Sequence, residues 1–227
     1  QAVLLPVFVV IGFFLSAFLF WRKGREEHYD EGMIFDAFLL SAFVGFVSSR
    51  AAFIALHFSQ FGVFILRWLD SIHYPGFNIT AGLVAATFYL YRRAQSNKWD
   101  TFEVLDFWVM SVSFGLSLFH LGTFFAGIGY GYQTNWYWGV VFPNLLEPHH
   151  PVQLYFAFLY FCLSFFLSKV EYSYRTFEWY RYGKKTAQTG FLTAFFLIFS
   201  ACFSLAMSFF HLPVLVWDNL SFDRLLA

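Results

Sequence analysis

Histidine and arginine are the side chains in this sequence best suited to moving protons or holding an anion, and both are unevenly placed. His57, His73, His120, His149, His150 and His211 fall at or beyond one set of ends of the apolar runs, and only His28 falls at the other. Such a group can hold a metal or a phosphate, or it can simply be amphipathic rings at an interface. No pair has the i, i+4 spacing of a helical metal site and no cysteine joins them, so no metal is expected. Arg50 follows Ser48-Ser49 inside an apolar run. An arginine at membrane depth is costly and is satisfied either by an anion in a watery cavity or by snorkelling to the headgroups. Asp36, in the same run, reads as interfacial. The stretch Gly127–Pro151 holds no lysine or arginine, but carries Trp136, Trp138 and Glu147-Pro148-His149-His150-Pro151. It reads equally as an aromatic belt with turns or as the roof of a site.

The elements that must position these residues are membrane spans. Of 227 residues, 59% are hydrophobic and only 12% charged, with mean hydropathy +0.58. That is about half the charged fraction of a soluble domain, too little polar surface to coat a globule, so the bilayer is the solvent. A net charge of zero gives no reason to expect nucleic acid as a partner. Cys162 and Cys202 both lie in apolar runs and read as packing residues. Runs over Val3–Phe20, Met33–Phe58, Ile79–Tyr91, Phe102–Phe125, Val152–Ser168 and Gly190–Phe210 predict six transmembrane helices of an all-α bundle. The third run is short for ~30 Å of hydrocarbon. Arg22, Lys23, Arg25, Arg92, Arg93, Lys98, Lys169, Arg175, Arg181, Lys184 and Lys185 lie between odd- and even-numbered runs. The other side has only Arg67 and Arg224. This asymmetry predicts an N-terminus outside the cell and the histidine-bearing loops on the outer, cation-poor side.

Five segments carry a resemblance. His150-Pro151-Val152-Gln153-Leu154-Tyr155 looks like the H-P-x-Q-L-Y-E segment of the prolipoprotein diacylglyceryl transferases. Gly45-Phe46-Val47-Ser48-Ser49-Arg50 is similar to that family's G-x-x-G-A-R helix, and Gly76–Ala85 sits where it has G-x-S-x-H-G-G-L-x-G. His120–Gly127, with Gly131 beyond, aligns without gaps on its R-x-G-N-F-x-N-G-E-x-x-G signature. Ser204–His211 follows Gly190 at the spacing of its R-F-x-x-E-F-x-R helix. The order is the family's over nearly the whole chain.

The resemblance implies a bacterial inner-membrane, multi-pass transferase. It would move a diacylglyceryl group from phosphatidylglycerol to a cysteine thiol of a lipoprotein precursor, expelling glycerol phosphate, with no cofactor. Carried over residue by residue, it makes His120, His150 and Thr80 the catalytic candidates. Arg50, His149, Gln153, Tyr155 and Gly127 become candidates for binding lipid or phosphate. Several family residues are replaced: its active histidine is Thr80 here, its signature arginine His120, its asparagines Thr123 and Ala126, and its glutamates Ile128 and Phe156. Its late arginine, glutamate and arginine are Ser204, Ser208 and His211. A histidine is a weaker, pH-dependent substitute for the arginine fork on phosphate. The alternative expectation is therefore a non-catalytic protein that holds a phospholipid or lipoprotein on the same fold. Residues 1–227 are expected to form one integral membrane domain, an excerpt lacking the extreme termini and a seventh helix.

Overall fold

The computed structural model describes residues 4–71, 73–143, 145–173, 189–210, 216–217 and 220–221. His211, Arg175, Arg181, Lys184, Lys185 and Arg224 lie outside the described residues. The protein is a polytopic helical membrane protein. Among the described residues its helices are α1 (Leu4–Glu26), α2 (Glu31–Leu56), α3 (Phe58–Phe61), α4 (Ile65–Leu69), α5 (Ile79–Ser96), α6 (Thr101–Ala126), α7 (Val152–Glu171) and α8 (Phe191–Met207). Two-residue strands, Val216–Trp217 and Leu220–Ser221, pair antiparallel near the end.

Each of the six predicted spans is a helix. Four of them, α1, α2, α6 and α7, are long and apolar enough to cross a bilayer, and α8 is a shorter apolar helix of 17 residues. The third span differs from the expectation drawn from its apolar run. α5 continues through Arg92 and Arg93 to Ser96, which gives 18 residues, about 27 Å at 1.5 Å per residue. Arginine and glutamine are good helix formers, and long cationic stems reach the headgroups, so the helix outlasts its apolar run. Short polar side chains set the starts. Asp30 caps α2 by accepting from the Met33 N–H at 2.8 Å, and Asn78 caps α5 by accepting from that of Ala81 at 2.9 Å. Phe14, Phe43, Phe88, Phe158 and Phe165 are 64–72% exposed, as side chains facing lipid should be.

The chain divides into two compact units, Phe20–Trp108 and Gln1–Leu19 with Val109–Ala227. In the first, α2 and α5 meet through small residues. A Cβ added at Gly82 would lie 2.8 Å from both the Gly45 carbonyl oxygen and Ser49 Cβ. Lipid gives helices no hydrophobic drive to associate, so close backbone approach of this kind does the packing. Trp108 Nε1 donates to Thr87 Oγ1 at 2.9 Å, and the Phe20, Phe38 and Trp108 rings cluster beside it.

At the cation-rich end of this unit the Tyr29 hydroxyl donates to Glu103 Oε2 at 2.7 Å. Burial first, then the Glu103 carboxylate, pushes the Tyr29 pKa well above its usual value of 10.0. The protonated phenol is thus favoured in the fold. Its contribution to stability is complete below about pH 10 and declines as pH climbs further. Chemical denaturation across pH 9–11 should show this decline, and Tyr29→Phe should flatten it. An unchanged slope in the variant would assign the decline to other groups.

In the second unit α1 lies on α6 through Gly12 and Gly115, and Ser16 Oγ donates to the Ser111 carbonyl at 2.9 Å. Ser117 Oγ ties α6 to α7 through the Ala157 carbonyl at 2.8 Å, and Ser164 Oγ bonds the Met110 carbonyl at 3.3 Å. These hydroxyl bonds fix the register of α7 against α6, and α7 carries most of the candidate site.

Candidate functional site

Residues 127–151 fold back on themselves. α6 ends at Gly127, whose φ of +71° lets its N–H reach the Phe124 carbonyl at 3.0 Å while the Ile128 N–H reaches that of Thr123 at 3.0 Å. This is a Schellman stop, so Gly127 acts by turning the chain. The returning backbone then pairs with the segment before α7. Gly131 N–H donates to the His150 carbonyl at 2.9 Å, His150 N–H to that of Tyr132 at 3.0 Å, and Thr134 N–H to that of Pro148 at 2.9 Å. Val140 and His149 exchange both of their backbone bonds, at 3.0 and 2.9 Å. The segment expected to be either belt or roof is a backbone-tied fold around the two histidines.

Gly131 has no room for a side chain. A Cβ there would collide with the Phe210 carbonyl oxygen and stand 3.0 Å from His150 Cβ. Gly131→Ala is expected to cost about 1–3 kcal/mol through overpacking and to displace His150. A fall in melting temperature in detergent checks this, and an unchanged melting temperature would show that the loop yields freely.

His150 is 9% exposed, and its Nδ1 lies 3.2 Å from the Tyr155 hydroxyl. That hydroxyl also accepts from Trp138 Nε1 at 2.9 Å. Because indole only donates, the phenol proton is free to serve His150; equally, a protonated Nδ1 can donate to the phenol oxygen. The imidazole can therefore take up a proton at Nε2 while Nδ1–H donates to the phenol oxygen. Trp136 and Phe210 flank the imidazole with ring centroids at 6.0 and 5.3 Å. His149 turns elsewhere: its Nδ1 is 2.9 Å from the Glu147 carbonyl and its ring meets Tyr130 edge to face.

Two further candidates lie on the first turns of α7 or against them. Gln153, 2% exposed, donates from Nε2 to the Ile128 carbonyl at 2.9 Å. His120 of α6 stacks on Phe156 with centroids 4.8 Å apart and planes 14° from parallel, and on Tyr160 at 5.8 Å. Phe203 closes on Phe156 edge to face at 5.2 Å. The early turns of α7 thus carry Gln153 and Tyr155, receive the His150 hydrogen bond, and present Phe156 and Tyr160 to the His120 ring. Sequence reasoning missed Trp138 as the donor to Tyr155 and the aromatic seat under His120. Neither has a signal in local spacing, since the partners are 17 and 36 residues apart.

The remaining candidates belong to the other unit. Thr80 is exposed in the first turn of α5. Arg50 is 8% exposed, and carbonyl oxygens stand around it where an anion was expected. Its Nε donates to Trp68 O at 3.0 Å, and Nη1 to Tyr74 O and Gly76 O at 2.8 and 2.9 Å. Nη2 donates to Asp70 O at 3.1 Å, with a longer contact to Arg67 O at 3.5 Å. Phe61 and Phe77 cover the guanidinium at 5.2 and 5.5 Å. All five N–H groups of the fork are thereby directed at the 67–76 backbone. Among the described residues no group of three or more His, Cys, Asp or Glu could hold a metal ion.

The sequence profile described as prolipoprotein diacylglyceryl transferase matches residues 5–227, almost the entire chain that holds both units. The chain belongs to the prolipoprotein diacylglyceryl transferase family. It is 27% identical over 183 residues to the phosphatidylglycerol–prolipoprotein diacylglyceryl transferase of Clostridium tetani, covering 76% of this chain and 72% of that protein. The enzyme of the same name from Haemophilus influenzae (strain PittEE) is 32% identical over 132 residues, 55% of this chain and 47% of its own. That from Buchnera aphidicola subsp. Baizongia pistaciae is 27% identical over 228 residues, 88% and 78% of the two chains. The matched part thus spans about half the length of the Haemophilus relative.

Proposed function

We propose that this protein works at the cation-poor, outer face of a bacterial inner membrane on phosphatidylglycerol and a lipoprotein precursor, as one integral membrane domain. The reaction is the family's: a cysteine thiol loses its proton, its sulfur forms a bond to the diacylglyceryl carbon, and the carbon–oxygen bond to phosphate breaks, releasing glycerol phosphate. The observation that carries this reading is the His150–Tyr155–Trp138 chain at the head of α7, formed from the family's H-P-x-Q-L-Y segment. His150 is the proposed base for the thiol, its Nε2 taking the proton while Nδ1–H donates to the Tyr155 hydroxyl, which holds the imidazole in that tautomer. Within the second unit His120 is proposed to lie beside the reacting groups, His149 and Gln153 to contact the lipid head, and Gly127 to position the backbone around them. In its own unit Arg50 is proposed to position the 67–76 backbone, and Thr80 is a catalytic candidate by the family resemblance.

Purified protein incubated with labelled phosphatidylglycerol and a lipobox peptide tests the proposal. Thioether-linked product at neutral pH is expected, and its absence in active lipid would overturn the catalytic reading.

A second reading is favoured by a specific observation: residues 127–151, which fold around His149 and His150, carry no lysine or arginine. A departing phosphate would lack a fixed cationic donor from that segment, where one such donor contributes about 2.7–4 kcal/mol. On that reading the protein holds phosphatidylglycerol without turning it over. Co-purified lipid without product supports it; a preparation free of lipid and inactive would remove both readings.

A further inference from the structure

Gln153 is a buried amide with one half of its chemistry unused. Its Nε2 donates to the Ile128 carbonyl at 2.9 Å. A carbonyl oxygen accepts only, so the nitrogen must face it and the amide cannot be turned around. Oε1 is therefore fixed as an acceptor, and among the described residues it has no hydrogen-bond partner although the side chain is 2% exposed. Buried acceptors of this kind call for a donor supplied from elsewhere, a ligand or an ordered water.

The identity of that donor is restricted by charge. A phosphodiester oxygen only accepts, so it cannot complement Oε1. Nor do residues 127–151 bring a fixed cation to it, since they contain no lysine or arginine. The complement is a neutral O–H or N–H. Phosphatidylglycerol carries two hydroxyls on its terminal glycerol, beyond the phosphate.

We infer that Gln153 is the residue that selects the lipid head, its Oε1 accepting a hydrogen bond from a hydroxyl of the terminal glycerol. The inference rests on the proposal that phosphatidylglycerol is the bound lipid. It assigns Gln153 to the hydroxyls and leaves the phosphate to other groups.

The test is competitive binding in nanodiscs, read by native mass spectrometry. The probes are phosphatidylglycerol and phosphatidylpropanol, which has the same phosphodiester charge and head-group length without hydroxyls. The wild type is expected to favour phosphatidylglycerol about tenfold, the effect of one neutral hydrogen bond. Gln153→Met should bring the ratio close to one while leaving phosphatidylpropanol binding unchanged. Gln153→Glu is the rescue. A protonated carboxyl can donate to Ile128 and still accept, so the preference should persist near pH 5, while ionisation should weaken both lipids alike by repelling their shared phosphodiester. If the wild type binds both lipids equally, or Gln153→Met keeps the preference because a buried water meets Oε1, the inference is overturned. Equal loss of both lipids in Gln153→Met also overturns it, since that marks a purely structural role. Binding of neither lipid by the wild type would instead overturn the functional reading beneath it.

Discussion

Replacing Arg50 with methionine is expected to release the segment between α3 and α5 from the end of α2. The guanidinium donates to four carbonyls of that segment at 2.8–3.1 Å, and the rings of Phe61 and Phe77 exclude water from it. Hydrogen bonds to a charged donor contribute about 1.5–3 kcal/mol each, and the carbonyls left behind would be desolvated without partners. Local stability should fall by about 3 kcal/mol or more, which raises amide exchange between Arg67 and Gly76 by roughly a hundredfold. Lysine should recover only part of the loss, because a compact ammonium cannot reproduce a planar fork of five donors. α4 lies in this segment with Leu66 and Leu69 82% and 78% exposed, and would lose this anchor. Unchanged exchange in Arg50→Met would show that the segment is held by other contacts.

The second large effect is expected from Tyr155→Phe. One hydroxyl stands between Trp138 Nε1 and His150 Nδ1, so its removal disconnects the pair without changing the volume of the ring. If His150 takes the thiol proton, turnover of phosphatidylglycerol with a lipobox peptide should fall about a hundredfold, the lower range for general acid–base catalysis. The loss should appear in kcat with KM little altered, because the hydroxyl acts on the base and not on the lipid. A shifted pH profile with a normal melting temperature would separate this from misfolding. An unchanged kcat would remove the pair from the mechanism.

The helices were legible because lipid demands long apolar runs, and each of the six runs became a helix. Their ends were less so. α5 outran its apolar stretch through Arg92 and Arg93, whose side chains suit both a helix and a headgroup layer. His150 and Tyr155 were each singled out by the H-P-x-Q-L-Y segment, but their pairing across the start of α7 appeared only in the fold. Arg50 illustrates what a sequence withholds. An arginine inside a span announces that something must satisfy it, yet backbone carbonyls have no identity in sequence, so an anion was the natural expectation. His120 and Phe156 are uninformative apart, because only the fold reveals that their rings stack. Gln153 shows the same limit from the other side. Its motif singled it out for binding, but the direction of its unused acceptor, and hence its preference for a hydroxyl over a phosphate, appeared only with the Ile128 carbonyl in place.

Photolabelling with a phosphatidylglycerol that carries a diazirine on its glycerol head would examine the placement of the lipid most directly. Adducts mapped by mass spectrometry should concentrate between Gly127 and Tyr160 and should disappear when unlabelled phosphatidylglycerol competes. Labelling confined to other segments, with this stretch unmodified, would contradict a head-group site at the start of α7.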